Sequence, residues 1–126
     1  MDRKKLQQYL VSLILIIFLT SLLANKFYWY YSIWYFDMIM HFLGGFWVGL
    51  LALYFLISPR LSTGTVLKIL LVILGVGLGW EIFEILVDKA LAENPFNLPD
   101  TVSDIFFDLA GGMVAIVYYF KKTADA

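Results

Sequence analysis

Apolar residues form four long segments along the chain, separated by shorter stretches that carry most of the charge. The segments cover about residues 6–24, 37–58, 66–87 and 102–120. Each is close to the ~20 helical residues needed to cross a hydrocarbon layer of about 30 Å. Strands of a membrane barrel would be about 10 residues long with alternating polarity. The pattern therefore predicts an all-α, polytopic membrane protein, a single domain over residues 1–126 with four transmembrane helices.

The overall composition agrees with a membrane protein. Hydrophobic residues make up 62% of the chain and charged residues 15%, against about 45–50% and about 25% in soluble domains. The first apolar segment is longer than the core of a secretory signal, and we interpret it as a retained helix. The absence of cysteine excludes thiolate ligands and a cysteine nucleophile. Membrane lipids are the expected partners, and no basic patch suggests a nucleic acid.

The distribution of basic residues predicts the orientation of the helices. Seven of the 9 basic residues fall at the chain ends or around the loop between the second and third segments: Arg3, Lys4, Lys5, Arg60, Lys68, Lys121 and Lys122. Only Lys26 and Lys89 fall in the other two loops. Because basic loops tend to remain cytoplasmic, we predict that both termini are cytoplasmic in a multi-pass protein of the cell membrane.

Acidic residues are concentrated at the opposite, outer ends of the segments. Of the 10 acidic residues, all except Asp2 and Asp125 fall there. Steps of three or four residues link Asp37 to His41, Glu81 to Glu84 and Asp88, and Asp100 to Asp104 and Asp108. Such steps place side chains on one face of a helix. The second, third and fourth helices are therefore expected to share one polar intramembrane site.

Some of these residues also have a structural interpretation. Asp37 is a candidate N-cap of the second helix, and Asp100, Thr101 or Ser103 of the fourth. Asp88 and Glu93 are expected to be solvated loop charges. Small residues allow transmembrane helices to approach closely. The same three helices carry most of the glycines and are therefore expected to form the tight core, at Gly44, Gly45, Gly49, Gly75, Gly77, Gly79, Gly111 and Gly112.

The clustered carboxylates require a counter-charge. An ionised side chain inside the membrane costs about 2.5–3.5 kcal/mol on insertion scales. Lys26 and Lys89 are the only basic candidates, and both lie in or next to the outer loops, so the internal cations are too few to neutralise the cluster. Either a divalent metal ion or shared protons would offset the charge. Oxygen and imidazole donors favour Mn, Fe, Mg or Zn. The candidate ligands are Asp37, His41, Glu81, Glu84, Asp104 and Asp108, and the candidate catalytic residues are His41, Glu81 and Glu84.

Three ordered motifs resemble those of a known group of membrane proteins. They are Asp37-x-x-x-His41-Phe42-x-Gly44-Gly45, Trp80-Glu81-x-x-Glu84, and Asp100-Thr101-x-x-Asp104-x-x-x-Asp108-x-x-Gly111-Gly112. The set looks like the VanZ-like proteins, and more like the YjdF-like bacterial inner-membrane proteins. Glu84 and Asp108 stand where VanZ-like proteins typically have Gln and Asn. The resemblance covers about residues 37–115 and implies a membrane protein without a settled activity.

The functional hypotheses follow from the polar site and the loop beside it. Residues 25–36 are rich in aromatic side chains, which settle at the headgroup level. The segment is interpreted as a plain aromatic belt, a short interfacial helix or a lid over the site. The leading hypothesis is a metal-dependent enzyme acting on a lipid or lipid-linked substrate at the outer leaflet. The alternatives are a cation- or proton-coupled transporter subunit and a non-catalytic assembly or regulatory factor. The first helix is expected at the periphery or at a homo-oligomer interface.

Overall fold

The computed structural model describes residues 2–56, 59–87 and 97–124. The described chain is helical and has five helices: α1 (Arg3–Lys26), α2 (Trp29–Ser32), α3 (Phe36–Phe55), α4 (Thr63–Val87) and α5 (Leu98–Ala124). All but α2 are long and apolar enough to cross a membrane. The all-α fold with four membrane-spanning helices is therefore confirmed. Asp88 and Glu93, predicted as loop charges, lie outside the described residues.

Capping side chains that hydropathy does not reveal lie at the starts of α1 and α5. The side chain of Asp2 accepts a hydrogen bond from the backbone N–H of Lys4 at 3.2 Å, and α1 begins three residues before the apolar segment. At α5, Asn97 Oδ1 accepts from the backbone N–H of Asp100 at 3.2 Å. The predicted cap at Asp100, Thr101 or Ser103 is wrong, because the helix begins at Leu98, four residues before the apolar segment.

The start of α3 also differs from the sequence-based prediction. Its N-cap position is Tyr35, and Asp37 lies inside the first turn. A carboxylate in the first turn still interacts favourably with the positive end of the helix dipole. Asp37 therefore does not cap the helix, and its side chain is available to the polar site. The helix ends at Phe55 rather than residue 58.

An apolar core fills one half of the bundle, where α3 packs against α1, α4 and α5. Its buried members are Leu6, Leu10, Leu50, Leu53, Ile69, Ile73, Ala115, Ile116 and Tyr119. At this end Arg3 Nη1 donates to the carbonyl of Tyr54 at 2.6 Å, and its guanidinium lies 4.3 Å from the centre of the Tyr54 ring. The indole of Trp47 donates to the carbonyl of Leu10 at 2.8 Å. The first helix is thus docked onto α3 at the basic end of the molecule.

Glycines allow α3, α4 and α5 to meet closely above this core. A Cβ atom at Gly45 would collide with the backbone carbonyl of Asp108, and one at Gly111 with the carbonyl of Phe42. A Cβ at Gly77 of α4 would lie 2.6 Å from Asp108 Oδ2. The predicted close approach therefore holds at Gly45, Gly49, Gly77, Gly111 and Gly112, whereas Gly44, Gly75 and Gly79 face open space.

The aromatic segment between α1 and α3 contains α2, a helix of 4 residues, as one of the sequence-based interpretations proposed. The rings of Trp29 and Tyr30 pack against Phe36, with centroids 5.7 Å and 4.9 Å apart. Tyr31 and Trp34 are 89% and 79% exposed. The segment therefore covers the start of α3 and presents aromatic rings outward at the end of the bundle opposite the apolar core.

Candidate functional site

The centre of the polar site is His41, which is 9% exposed and lies one turn into α3. Its Nδ1 atom is 2.9 Å from Asp108 Oδ1. Its Nε2 atom is 3.3 Å from Asp104 Oδ2 and 3.6 Å from Asp37 Oδ1. Asp37 lies one turn earlier on the same helix, and both other carboxylates come from α5. The spacings of four residues thus place three carboxylates around one imidazole, as the sequence predicts.

The two nitrogens of His41 have different surroundings. A neutral imidazole carrying its proton on Nδ1 donates to Asp108 and directs the lone pair of Nε2 toward Asp37 and Asp104. Metal-binding histidines commonly show this arrangement, in which a carboxylate on the far nitrogen fixes the ring. A doubly protonated imidazolium also fits the distances, with Nδ1 donating to Asp108 and Nε2 at ion-pair distance from Asp37 and Asp104. The geometry thus suits both a metal ligand and an ion-paired histidine.

Asp104 is the most deeply buried acid of the site. Its side chain is 2% exposed, and neither of its oxygens has a hydrogen-bond partner. The 3.3 Å approach to His41 Nε2 counts as an ion-pair distance but lacks the direction of a hydrogen bond. Burying a polar group without a partner costs about 1–3 kcal/mol, and more for a charged group. The described side chains therefore give Asp104 no hydrogen-bond donor, and His41, when doubly protonated, is the one described cation at ion-pair distance from it.

Two glutamates of α4 complete the cluster. Glu81 is 5% exposed, and its Oε2 accepts from the hydroxyl of Thr101 at 3.4 Å, whereas its Oε1 is buried without a partner. Glu84 is half-buried, and its Oε1 accepts from the indole N–H of Trp80 at 2.8 Å. Each glutamate is therefore held by one neighbouring donor and keeps its second oxygen for another partner.

The six candidate ligands predicted from the sequence all lie in this cluster, and five of them form two groups of potential ligand atoms. The ligand atoms within each group lie within 4.8 Å of one another, and the groups are Asp37, His41 and Asp104, and Glu81, Glu84 and Asp104. Asp104 belongs to both. Asp108 belongs to neither, because it lies on the Nδ1 side of His41. Its role as a direct ligand stays a prediction, and the geometry favours a role in orienting the imidazole.

The cluster contains more negative than positive charge. Within residues 2–56, 59–87 and 97–124, His41 supplies every ion pair that these carboxylates make. At an effective dielectric constant of about 20, two like charges about 4 Å apart repel by about 4 kcal/mol. One imidazolium cannot offset several such pairs. The described side chains thus leave the site short of positive charge.

The sequence did not reveal three supporting contacts. The hydrogen bond from the Trp80 indole to Glu84 joins residues one helical turn apart, and that spacing could have predicted it. The hydroxyl of Thr101 and the close approach of Gly77 to Asp108 join different helices. Spacing within one helix carries no signal for contacts of that kind.

The comparisons with known proteins agree with the membrane fold. A family model described as "Predicted membrane protein (DUF2238)" matches residues 2–124. The chain belongs to the DUF2238 family. An uncharacterized protein of Thermotoga maritima is 33% identical over 116 residues, which cover 85% of this DUF2238 chain and 59% of the relative. The chain thus spans about 59% of the length of that relative. No solved structure matches this DUF2238 protein.

Proposed function

We propose that this DUF2238 protein is a metal-dependent membrane enzyme that acts on a lipid or lipid-linked substrate at the outer leaflet. The observation that supports the proposal is the buried Asp104 carboxylate. Its two oxygens have no hydrogen-bond partner, and Oδ2 lies 3.3 Å from His41 Nε2. A divalent cation held by Asp37, His41 and Asp104 would give that carboxylate a partner. Nitrogen and oxygen donors together suit Mn, Fe or Zn.

The chemistry of such a site suits a phosphorylated headgroup. A bound cation polarises a phosphoryl or carbonyl oxygen, or generates a nucleophile from water. The carboxylates alone would repel an anionic substrate, so the cation would also provide its binding charge. Glu81 and Glu84 lie beside the cation ligands and are the candidate general bases. His41, held by Asp108, would act as a ligand in this arrangement.

The position of the site supports a substrate that arrives from the membrane. The aromatic segment that covers the start of α3 is rich in Trp and Tyr, which are typical of the headgroup region. The basic residues at the opposite end favour an orientation with both termini cytoplasmic. The resemblance of the three motifs to VanZ-like and YjdF-like inner-membrane proteins agrees with a location in the cell membrane.

The apolar half of the bundle disfavours the transporter alternative. Buried Leu, Ile and Ala side chains of α1, α3, α4 and α5 fill the region below the polar cluster. A carrier needs polar groups along a path to both sides. Among the described residues, buried acids occur only in the polar half, at Glu81, Asp104 and Asp108. A role in assembly or regulation is the outcome that remains if no metal binds.

The decisive experiment measures metal content. Protein purified in detergent would be stripped with chelator, reloaded with Mn²⁺ or Zn²⁺, and analysed by elemental mass spectrometry. The wild type is expected to retain the metal, and Asp104→Asn to lose it. Asp100→Asn is the matched control, because Asp100 is an exposed acid one turn away and belongs to neither ligand group. Folded wild-type protein that takes up no divalent metal would refute the proposal.

A further inference from the structure

We infer that the site holds two cations bridged by Asp104, the second of them bound by Glu81 and Glu84. The inference rests on the proposed metal site, extends it from one ion to two, and makes Glu81 and Glu84 ligands of the second ion instead of general bases. Asp104 is shared by both groups of ligand atoms, and each group spans no more than 4.8 Å. Two-metal sites hold their ions about 3.5–4 Å apart, a separation that one carboxylate can bridge through its two oxygens.

The burial of the oxygens is the first argument for a second ion. Neither oxygen of Asp104 has a hydrogen-bond partner. A single cation bound beside His41 satisfies one of them and leaves the other buried. Glu81 Oε1 is also buried without a partner. A second cation between Glu81, Glu84 and Asp104 satisfies these remaining atoms together.

The charge of the cluster is the second argument. Five carboxylates converge on the site: Asp37, Glu81, Glu84, Asp104 and Asp108. When all five are ionised, one divalent cation leaves a net charge of −3 and two leave −1. In the membrane interior each uncompensated charge costs several kcal/mol, roughly 2.5–3.5 on insertion scales. Two cations therefore bring the buried cluster close to neutrality without requiring protonated carboxyls.

The third argument is that neighbouring donors already orient the glutamates. The indole of Trp80 holds Glu84 Oε1 at 2.8 Å, and the hydroxyl of Thr101 lies 3.4 Å from Glu81 Oε2. Hydrogen bonds of this kind to the non-coordinating atom are typical around metal ligands. The remaining oxygens make a site of oxygen donors alone, which suits Mg²⁺ or Mn²⁺. The first subsite, which includes an imidazole, differs in its metal preference.

The number of Mn²⁺ ions bound by the full-length protein in detergent tests the inference. Titration followed by electron paramagnetic resonance is expected to show two ions per chain in the wild type, with exchange coupling between them. Glu84→Gln and Asp37→Asn are each expected to bind one ion without coupling. Asp100→Asn, the matched control, is expected to bind two. Circular dichroism and gel filtration would verify that each variant is folded.

A second variant, which leaves Glu84 in place, tests the inference if Glu84→Gln fails to fold. Trp80→Phe keeps an aromatic ring and removes the donor to Glu84, so the second binding event is expected to weaken about 10-fold, at the low end of effects seen for such partners. The first event is expected to remain unchanged. A wild type that binds one ion, or two uncoupled ions, overturns the inference and leaves the proposed function standing. A wild type that binds none overturns both.

Discussion

Replacing Gly77 with alanine tests whether the position of Asp108 controls metal binding at the proposed site. The new Cβ would lie 2.6 Å from Asp108 Oδ2, whereas ordinary contact begins at 3.4 Å. The carboxylate must therefore retreat by about 0.8 Å, since a side-chain end moves more readily than a helix backbone. The bond between Asp108 Oδ1 and His41 Nδ1 is 2.9 Å long, and a shift of this size bends or breaks it. Alanine itself favours the helix by about 1 kcal/mol over glycine, so α4 is expected to persist.

Metal affinity is the quantity that should change. Loss of a carboxylate that orients a metal-bound histidine typically costs 10–100-fold in affinity, and we expect Gly77→Ala to weaken Mn²⁺ binding within that range. Gly75→Ala is the matched control, because it gains the same helix propensity and its Cβ would face open space. Isothermal titration calorimetry in detergent, with thermal unfolding in parallel, measures both effects. Equal Mn²⁺ affinity in the two variants would refute the reasoning.

Three further predictions concern the helix crossing, the imidazole and the orientation. Gly45→Ala places a Cβ on the backbone carbonyl of Asp108 and should destabilise the fold by about 1–3 kcal/mol, whereas Gly44→Ala, which faces open space, should not; thermal unfolding compares them. Asp108→Asn should weaken Mn²⁺ binding by about 10–100-fold without lowering its stoichiometry; a lost equivalent would make Asp108 a direct ligand. Because the chain has no cysteine, Ser32→Cys in intact bacteria should react with a membrane-impermeant thiol reagent and Ser62→Cys should not; the opposite labelling would invert the predicted topology.

Hydropathy was sufficient to predict the number and approximate position of the spanning helices, because the bilayer requires long apolar segments. It was not sufficient for their ends. The start of α5 depends on the side chain of Asn97, which lies in a polar stretch where hydropathy has no signal. Pro99 fits in the first turn of α5, where its missing N–H has no intrahelical partner to lose, and the helix therefore begins before it.

The spacing of the acids predicted which side chains share a face, but not what each one meets. Asp104 and Asp108 are four residues apart on α5, yet Asp104 has no hydrogen-bond partner and Asp108 lies within hydrogen-bond distance of His41 Nδ1. The difference comes from the crossing of α3 and α5 at Gly45 and Gly111, which sets how far one helix is shifted along the other. That shift depends on contacts between helices, and the periodicity of a single helix does not contain it.

The apolar core also bears on how the membrane potential would act on the polar cluster. Moving one elementary charge across 100 mV costs about 2.3 kcal/mol, and membranes store energy in that potential. Leu50, Leu53, Ile69 and Ile73 are each only 1% exposed, so apolar side chains fill the half of the bundle beyond the acids. An ion bound at the proposed site from the nearer end would therefore cross only part of the membrane potential. On the proposed function, the site would hold charge within the bilayer without forming an ion path across it.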